Sequence, residues 1–226
     1  MPGIDDAKLR AIIYAGVERL RLAENGVDFF QEVPEESPGS DLGAWYLRNF
    51  GKVINSDCAK LAFLRDGYIP GNDQSVEKFY PQASQLVQKL IKLLISEYAN
   101  RNGLLILTAG GNGSGKSTFC SVIRPLLGEN DFVIDSTFAS YDSAINTIKL
   151  AREQGFAPVV IYIKRTPEEA WKNGVLKRAA HGSHRTPRYV FDSTHTLVPQ
   201  YMDRIAHSGS IPLITIPNPV PDDFIF

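Results

Sequence analysis

Short apolar runs without charge alternate along the chain with stretches whose apolar positions recur every three or four residues. The runs predict buried strands, and the recurring positions predict amphipathic helices. The predicted strands cover 52–57, 104–107, 132–135, 159–163 and 211–216. The predicted helices cover 5–30, 45–50, 81–95, 118–127, 143–154 and 167–180. Strands that alternate with helices in this way predict an α/β fold with a parallel sheet flanked by helices.

The first fifty residues differ from the rest, because they contain helical patterns but no apolar run. We therefore expect two units, an N-terminal helical extension over 1–50 and a main domain over 51–226. A loop rich in Pro, Ser, Gly and Glu separates the helices of the extension at 34–39. Few basic residues interleave with the aromatic residues of its second helix, which favours core packing over base stacking for Trp45, Tyr46 and Phe50.

Composition narrows the class of protein. The chain has 226 residues, 43% of them hydrophobic, and a net charge of −1, which makes tight non-specific binding to nucleic acid unexpected. Its two cysteines, Cys58 and Cys120, lie far apart and form neither a zinc motif nor a disulfide framework. No apolar run has the length of a membrane span, and Asp5 and Asp6 stand where a signal peptide would be basic. We expect a soluble cytoplasmic protein, although delivery into another cell by a different route stays open.

One segment carries the phosphate-binding pattern GxxxxGK[ST] without a mismatch. It follows a predicted buried strand and precedes a predicted helix, which disfavours the alternative of a glycine-rich surface turn. Glycines let backbone N–H groups converge on phosphate oxygens, the lysine bridges the β- and γ-phosphates, and the serine hydroxyl binds Mg²⁺. The segment therefore predicts binding of ATP or GTP with Mg²⁺ through Gly110, Gly111, Asn112, Gly113, Ser114, Gly115, Lys116, Ser117 and Thr118.

A phosphate-binding loop in a kinase works with acids and further cations. Asp135 ends a predicted strand and is a candidate for the metal shell or for acceptor contact, with a strand-end cap as the alternative. Asp57 ends an earlier predicted strand, and alone it would be an ordinary loop aspartate.

A cationic segment, 177–188, contains Arg178 and Arg185 and is broken by Gly and Pro. It is typical of a lid that closes over the transferring phosphate, or else of a solvated basic face. His181 and His184 inside it lack a third ligand nearby, which favours surface histidines over a metal site. The neighbouring run 192–195, Asp-Ser-Thr-His, does not form a hydrolase triad, because adjacent residues rarely converge in that way.

These motifs together resemble the zeta toxin family of P-loop kinases, which phosphorylate the 3′-hydroxyl of UDP-N-acetylglucosamine with ATP or GTP. The phosphate loop corresponds directly, and 133–137 is similar to the family's strand that ends in an acid, a small residue and Thr. Arg178 and Arg185 lie like its two lid arginines. The segment 53–57 followed by 80–84 is similar to the family's substrate region.

The resemblance implies a role for each matching residue. Asp57 becomes the catalytic base for the acceptor hydroxyl, Lys116 and both lid arginines serve the phosphoryl group, and Ser117 with Asp135 holds the metal. The implied substrate-binding residues are Asp57, Ser84, Gln88, Asp135 and Thr137. An antitoxin or other regulatory protein is the implied partner, beside a small-molecule acceptor.

Two departures from the family pattern are visible. The similar substrate region precedes the phosphate loop here, whereas it follows it in the family, so the chain looks permuted. Gln88 falls where the family carries a helix glutamate that contacts substrate. Alternatives are therefore a P-loop kinase for a nucleoside, antibiotic or RNA end, and a nucleotide-gated binding module without transfer activity.

The resemblance also predicts how the strands are arranged. We expect a sheet whose strands end, in spatial order, at Asp57, Asp135, Leu107, Ile163 and Ile216. Asp57 should then face the phosphate loop across a cleft.

Overall fold

The computed structural model describes residues 5–22, 34, 38–180 and 186–220. Five parallel strands form one sheet: β1 (Val53–Ile54), β2 (Leu104–Ala109), β3 (Phe132–Asp135), β4 (Ala157–Lys164) and β5 (Leu213–Pro217). The helices in the first half of the chain are α1 (Asp6–Leu22), α2 (Leu42–Phe50), α3 (Ser56–Lys60), α4 (Asp73–Glu97) and α5 (Lys116–Ile123). Those of its second half are α6 (Tyr141–Glu153), α7 (Pro167–Glu169), α8 (Lys177–Ala180) and α9 (Arg188–Ser208). A π-helical segment, Ala170–Leu176, joins α7 to α8, and 3₁₀ turns cover Leu61–Asp66 and Arg124–Leu126.

The strand order is β1-β3-β2-β4-β5, which confirms the predicted order and the α/β class. β2 lies at the centre, where Ile106 pairs with Val133 on one side and Val159 on the other. Every residue of β2 is buried, as expected for a central parallel strand covered on both faces.

Alternate side chains of the strands feed two separate apolar layers. Leu105 and Leu107 point into a layer shared with α2, α4, α6 and α9, whereas Ile106 points into a layer shared with α1 and α5. This alternation is the period of two expected of a strand. The phosphate-loop helix α5 therefore lies on the sheet face opposite to α4.

Helix α1 packs on α5 through a stripe of buried residues, and a methyl group at Gly16 would lie 2.0 Å from the Phe119 ring. Lys8 forms an ion pair with the buried carboxylate of Asp131. The predicted continuation of the first helix to residue 30 lies outside the described residues. The division into 1–50 and 51–226 stays a prediction.

The aromatic residues of α2 are core residues, as predicted from the scarcity of basic residues among them. Trp45 and Tyr46 are almost fully buried, and the centres of their rings lie 6.5 Å apart in an edge-on arrangement. Tyr46 has a second function, because its hydroxyl donates to the Val53 carbonyl and accepts from the Asn55 N–H, each at 3.0 Å.

The predicted strand over 52–57 is wrong beyond Ile54. The Asn55 side chain accepts from the Cys58 N–H at 2.7 Å, while the Tyr46 hydroxyl bridges the Val53 carbonyl and the Asn55 N–H. An asparagine that caps in this way starts a helix. Asp57 therefore lies in the first turn of α3 and not on a strand tip.

The predicted start of the fourth helix at Pro81 is also wrong. Helix α4 begins two turns earlier, where Asn72 accepts from the Ser75 N–H at 2.9 Å, and Pro81 lies inside it. A proline removes one helical hydrogen bond, but both Pro81 and Glu77, whose carbonyl loses its donor, are exposed to water. Buried residues at helical spacing on both sides keep the helix continuous, among them Phe79 and Ala83.

Helix α9 was not predicted, although Phe191, Val198, Met202 and Ile205 have helical spacing and are buried. Part of the predicted lid segment forms its start, since α9 begins at Arg188. Nowhere in the described ranges does a helix combine the length and apolar character that crossing a membrane would need.

Candidate active site

The phosphate-loop segment connects the buried end of β2 to the start of α5. Three of its glycines have positive φ, a region that disfavours residues with a side chain: Gly110 at 146°, Gly113 at 80° and Gly115 at 105°. A methyl group on Gly113 would lie 2.4 Å from the Ala170 carbonyl oxygen. Glycine at this position therefore lets the loop pack directly on the π-helical segment.

Lys116 turns back over its own loop. Its ammonium donates to the carbonyls of Gly110 at 2.9 Å and Gly111 at 3.0 Å. Burial lowers the pKa of Lys116 to about 8, and the nearby Asp135 carboxylate opposes this effect. The lysine is thus a buried cation held by carbonyl oxygens of the loop, where a phosphate would make its charged form more favourable.

Asp135 ends β3 beside the first turn of α5. Its carboxylate accepts from the Ser117 hydroxyl at 3.0 Å and from the Thr108 hydroxyl at 3.1 Å. Burial raises the pKa of Asp135, while Lys116 and the two hydroxyl donors act against that rise.

The donor atoms here fit Mg²⁺. Mg²⁺ prefers oxygen ligands, keeps several waters, and is usually held by one or two carboxylates together with substrate phosphates. Ser117 and Asp135 supply one hydroxyl and one carboxylate beside the phosphate loop, which is the protein share of such a set. These two residues would hold the ion next to the β- and γ-phosphates.

A cavity of about 1500 Å³ extends from the phosphate loop to α3 and α4. This exceeds the volume of a typical single-ligand pocket, so the cavity has room for more than one small ligand. The sequence-predicted residues that line it are Asn112, Gly113, Gly115, Lys116, Ser117, Thr118, Asp135, Thr137, Asp57, Ser84, Gln88 and Arg178.

The wall opposite the phosphate loop consists of α3, the following 3₁₀ turn and α4. Asp57 lies here with 53% of its side chain exposed, and Lys60 donates to its Oδ1 at 2.6 Å. Asp57 is close enough to influence the charge of both Lys116 and Asp135. Gln88 donates to the Ser143 hydroxyl at 3.5 Å, which links α4 to α6 at the edge of the cavity.

Of the two predicted lid arginines, Arg178 lies within the described residues and Arg185 does not. Arg178 lies on α8, donates to the Gly174 carbonyl at 3.1 Å, and is near enough to Lys116 to disfavour its charged form. Arg185, with His181 and His184, falls outside the described residues, so its placement beside the phosphates stays a prediction.

Several contacts with the phosphate loop come from residues to which the sequence analysis assigned no role in the site. Arg165 donates to the Gly113 carbonyl at 3.2 Å, and the Asn218 amide donates to the Ser114 carbonyl at 2.6 Å. Asn112 is contacted by the Thr194 hydroxyl at 3.3 Å and by the His195 ring, whose Nε2 lies 3.0 Å from its carbonyl oxygen. The helical spacing of α9 was the one signal that could have placed Thr194 and His195 on a buried face.

Burial lowers the pKa of His195, and the hydrogen bond to the Asn112 backbone acts in the opposite direction. The contact of its ring with the Asn112 carbonyl makes His195 a support of the phosphate loop.

Comparison with known proteins adds one finding. Residues 127–218 match the family model described as Zeta toxin, a range that includes Asp135, Thr137 and Arg178 but neither Asp57 nor the phosphate loop. No curated protein matches the chain. Because zeta toxins are in general kinases and the sheet has the arrangement of a P-loop kinase, the match and the fold support an ATP-dependent phosphotransferase that resembles the zeta toxin family.

Proposed function

We propose that this protein transfers the γ-phosphoryl group of ATP or GTP, with Mg²⁺, to a hydroxyl group of a small molecule. The observation that carries the proposal is that Asp57 of α3 lines the same cavity as Lys116, Ser117 and Asp135 beside the phosphate loop. Phosphoryl transfer requires positioning and charge stabilisation more than covalent chemistry, and these residues supply both.

In the proposed reaction the acceptor oxygen forms a bond to the γ-phosphorus, and the bond from that phosphorus to the β–γ bridging oxygen breaks. Asp57 orients the acceptor hydroxyl and takes its proton. Lys116 and Arg178 stabilise the charge that spreads over the transferring group, and Arg185 is proposed to join them. Ser117 and Asp135 would hold Mg²⁺, which would supply positive charge beside the phosphate oxygens.

The finer proposal is that the acceptor is a sugar nucleotide, with the 3′-hydroxyl of UDP-N-acetylglucosamine as the first candidate. Support comes from the resemblance of 53–57 and 80–84 to the substrate region of zeta toxins. In this reading the substrate region has moved ahead of the phosphate loop in the chain. The parallel pairing of β1 with β3 supports that arrangement, because it brings Asp57 to the same end of the sheet as Asp135.

A transfer assay tests the proposal. The protein is incubated with γ-labelled ATP or GTP, Mg²⁺ and UDP-N-acetylglucosamine, and the products are measured by mass spectrometry. Lys116→Ala provides the blank, and Lys92→Met, an exposed lysine of α4, provides a matched control. We expect a gain of one phosphate mass on the sugar nucleotide that disappears in Lys116→Ala and persists in Lys92→Met.

Transfer to another acceptor in a panel of nucleosides, aminoglycosides and RNA ends would support the kinase activity and reject the sugar nucleotide as acceptor.

The second candidate function is a nucleotide-gated binding module. It is favoured by Gln88, which stands in place of an acidic substrate contact and donates to Ser143 on α6. Tight nucleotide binding without phosphorylation of any acceptor in the panel would support that module and contradict the kinase.

A further inference from the structure

Lys60 is an unusual lysine, because only 3% of its side chain is exposed. It lies one turn after Asp57 on α3 and lines the large cavity. Its ammonium is 2.6 Å from Asp57 Oδ1 and 5.9 Å from the centre of the Tyr80 ring. The cation is therefore held in the wall formed by α3, the following 3₁₀ turn and α4, here called the acceptor wall, at the carboxylate assigned to the acceptor hydroxyl.

Stability alone does not explain this pairing. Removing an ammonium from water is costly, and replacing a buried ion pair by apolar residues is often neutral or stabilising. Asp57 also keeps 53% of its side chain exposed, so water already solvates much of its charge. The main physical effect of the contact is geometric, because the buried lysine fixes the position of one carboxylate oxygen, Oδ1.

We propose that Lys60 is a positioning residue, which holds the Asp57 carboxylate in the orientation that accepts the acceptor proton. This inference rests on the proposed function, since it gives Asp57 the role of base. During transfer the acceptor proton passes to Asp57, the new O–P bond forms, and the bond to the bridging oxygen breaks. Lys60 keeps its own protons and its contact with Oδ1 throughout.

Kinetic measurements can distinguish a positioning role of Lys60 from a role in acceptor binding or in folding. A positioning residue affects turnover through Asp57, so its loss should have no further effect once Asp57 cannot act as a base. A residue that binds an anionic group of the acceptor would instead raise the KM of the acceptor and leave kcat unchanged. A residue needed only for folding would lower the thermal midpoint and nucleotide affinity.

The experiment is a double-mutant cycle with Lys60→Met, Asp57→Asn and the combined variant, using Lys92→Met as control. We expect Lys60→Met to lower kcat by about 10- to 100-fold, as a displaced catalytic group does. Nucleotide affinity, measured with a fluorescent ATP analogue, and the thermal midpoint should stay near those of the control. In the Asp57→Asn background, Lys60→Met should change residual kcat by less than about twofold.

Rescue and folding controls complete the test. Lys60→Arg keeps a cation beside Asp57 and should recover most of the lost kcat. Lys60→Gln replaces Lys60→Met in the cycle if the methionine variant fails to bind nucleotide. If the wild type is active but Lys60→Met leaves kcat unchanged, the role of Lys60 is wrong while the proposed function stands. Fully additive losses of kcat in the cycle would have the same meaning. A wild type that transfers phosphate to no acceptor would overturn the proposed function and this inference with it.

Discussion

The two walls of the cavity are built in different ways. The donor wall, which is the phosphate loop with Lys116 and Asp135, is held by residues that follow it by 52 to 104 positions, among them Arg165 and Asn218. The acceptor wall carries Asp57 on a five-residue helix after a two-residue strand, and Asp57 is paired with a residue three positions away. The polar groups of the donor wall are thus held by contacts distant in sequence, whereas Asp57 is paired within its own helix, although α3 and α4 pack in the apolar layer that they share with the sheet.

Asp57→Asn gives the sharpest test of this separation and the largest expected effect. The amide cannot accept the acceptor proton, so kcat should fall by about 10³-fold, within the range for loss of a general base. Nucleotide affinity should stay within about twofold, because Asp57 lies on the other wall. Steady-state transfer kinetics and ATP titration measure the two quantities. Unchanged turnover would remove Asp57 from the mechanism, and a large loss of nucleotide affinity would contradict the separation.

On the donor wall, a change to the loop should damage stability and binding together. Gly113→Ala places a methyl group 2.4 Å from the Ala170 carbonyl at a φ of 80°, and Gly174→Ala meets Gly113 from the other side at 2.5 Å. We expect each to lower nucleotide affinity by about 10- to 100-fold, and Gly113→Ala to lower the free energy of unfolding by about 2–4 kcal/mol. Chemical denaturation and nucleotide titration measure both.

Gly39→Ala is the matched control, since nothing lies within 4 Å of the added methyl group. Normal nucleotide binding by Gly113→Ala would contradict the close packing of loop and π-helical segment.

The pH dependence of nucleotide binding should report on the buried lysine of the donor wall. Burial lowers the pKa of Lys116 to about 8, and a bound triphosphate favours its charged form, so binding should take up a proton above pH 8. The dissociation constant of ATP should therefore rise about tenfold between pH 7 and pH 9. Calorimetry in buffers of different ionisation enthalpy measures both effects. Lys116→Arg stays protonated and should show no such rise. A similar rise of the dissociation constant in Lys116→Arg would assign the pH dependence to another group.

The smallest effect is expected at His195. Burial lowers its pKa below the ordinary value of 6.5, so the unfolded chain binds the proton more readily. The stability that His195 contributes is present above pH 6.5 and is lost as the pH falls through its pKa in the folded protein. Between pH 7.5 and pH 5.5 the wild type should lose about 1–2 °C more in thermal midpoint than His195→Gln. Equal losses in both proteins would show that protonation of His195 does not weaken the support of the loop.

Local patterns predicted the features that depend on neighbouring residues. Uncharged runs such as 104–107 identified the central strands, and the glycines of 110–118 predicted the loop that connects β2 to α5. The pairing of Asp57 with Lys60 was not predicted, although its spacing of three residues is local, because the strand assigned to 52–57 placed these side chains in the wrong geometry.

The supports of the loop could not be predicted for a different reason. Thr194, His195 and Asn218 contact the loop across more than eighty positions of sequence. A hydroxyl, an imidazole or an amide within a helix or turn has no local pattern that indicates such a distant partner. These contacts depend on how α9 and the end of β5 pack, which requires the tertiary structure.

The packing of α1 on α5 also has a consequence for synthesis of the chain. The apolar stripe of α1 is complete once residue 22 has been made, yet Phe119 and Ile123, which cover it, come about one hundred residues later. At a rate of about 5–20 residues per second, the stripe waits about 5–20 s for its partner. During that interval the nascent chain carries an uncovered apolar surface, and α1 becomes a point at which a chaperone would act on this protein.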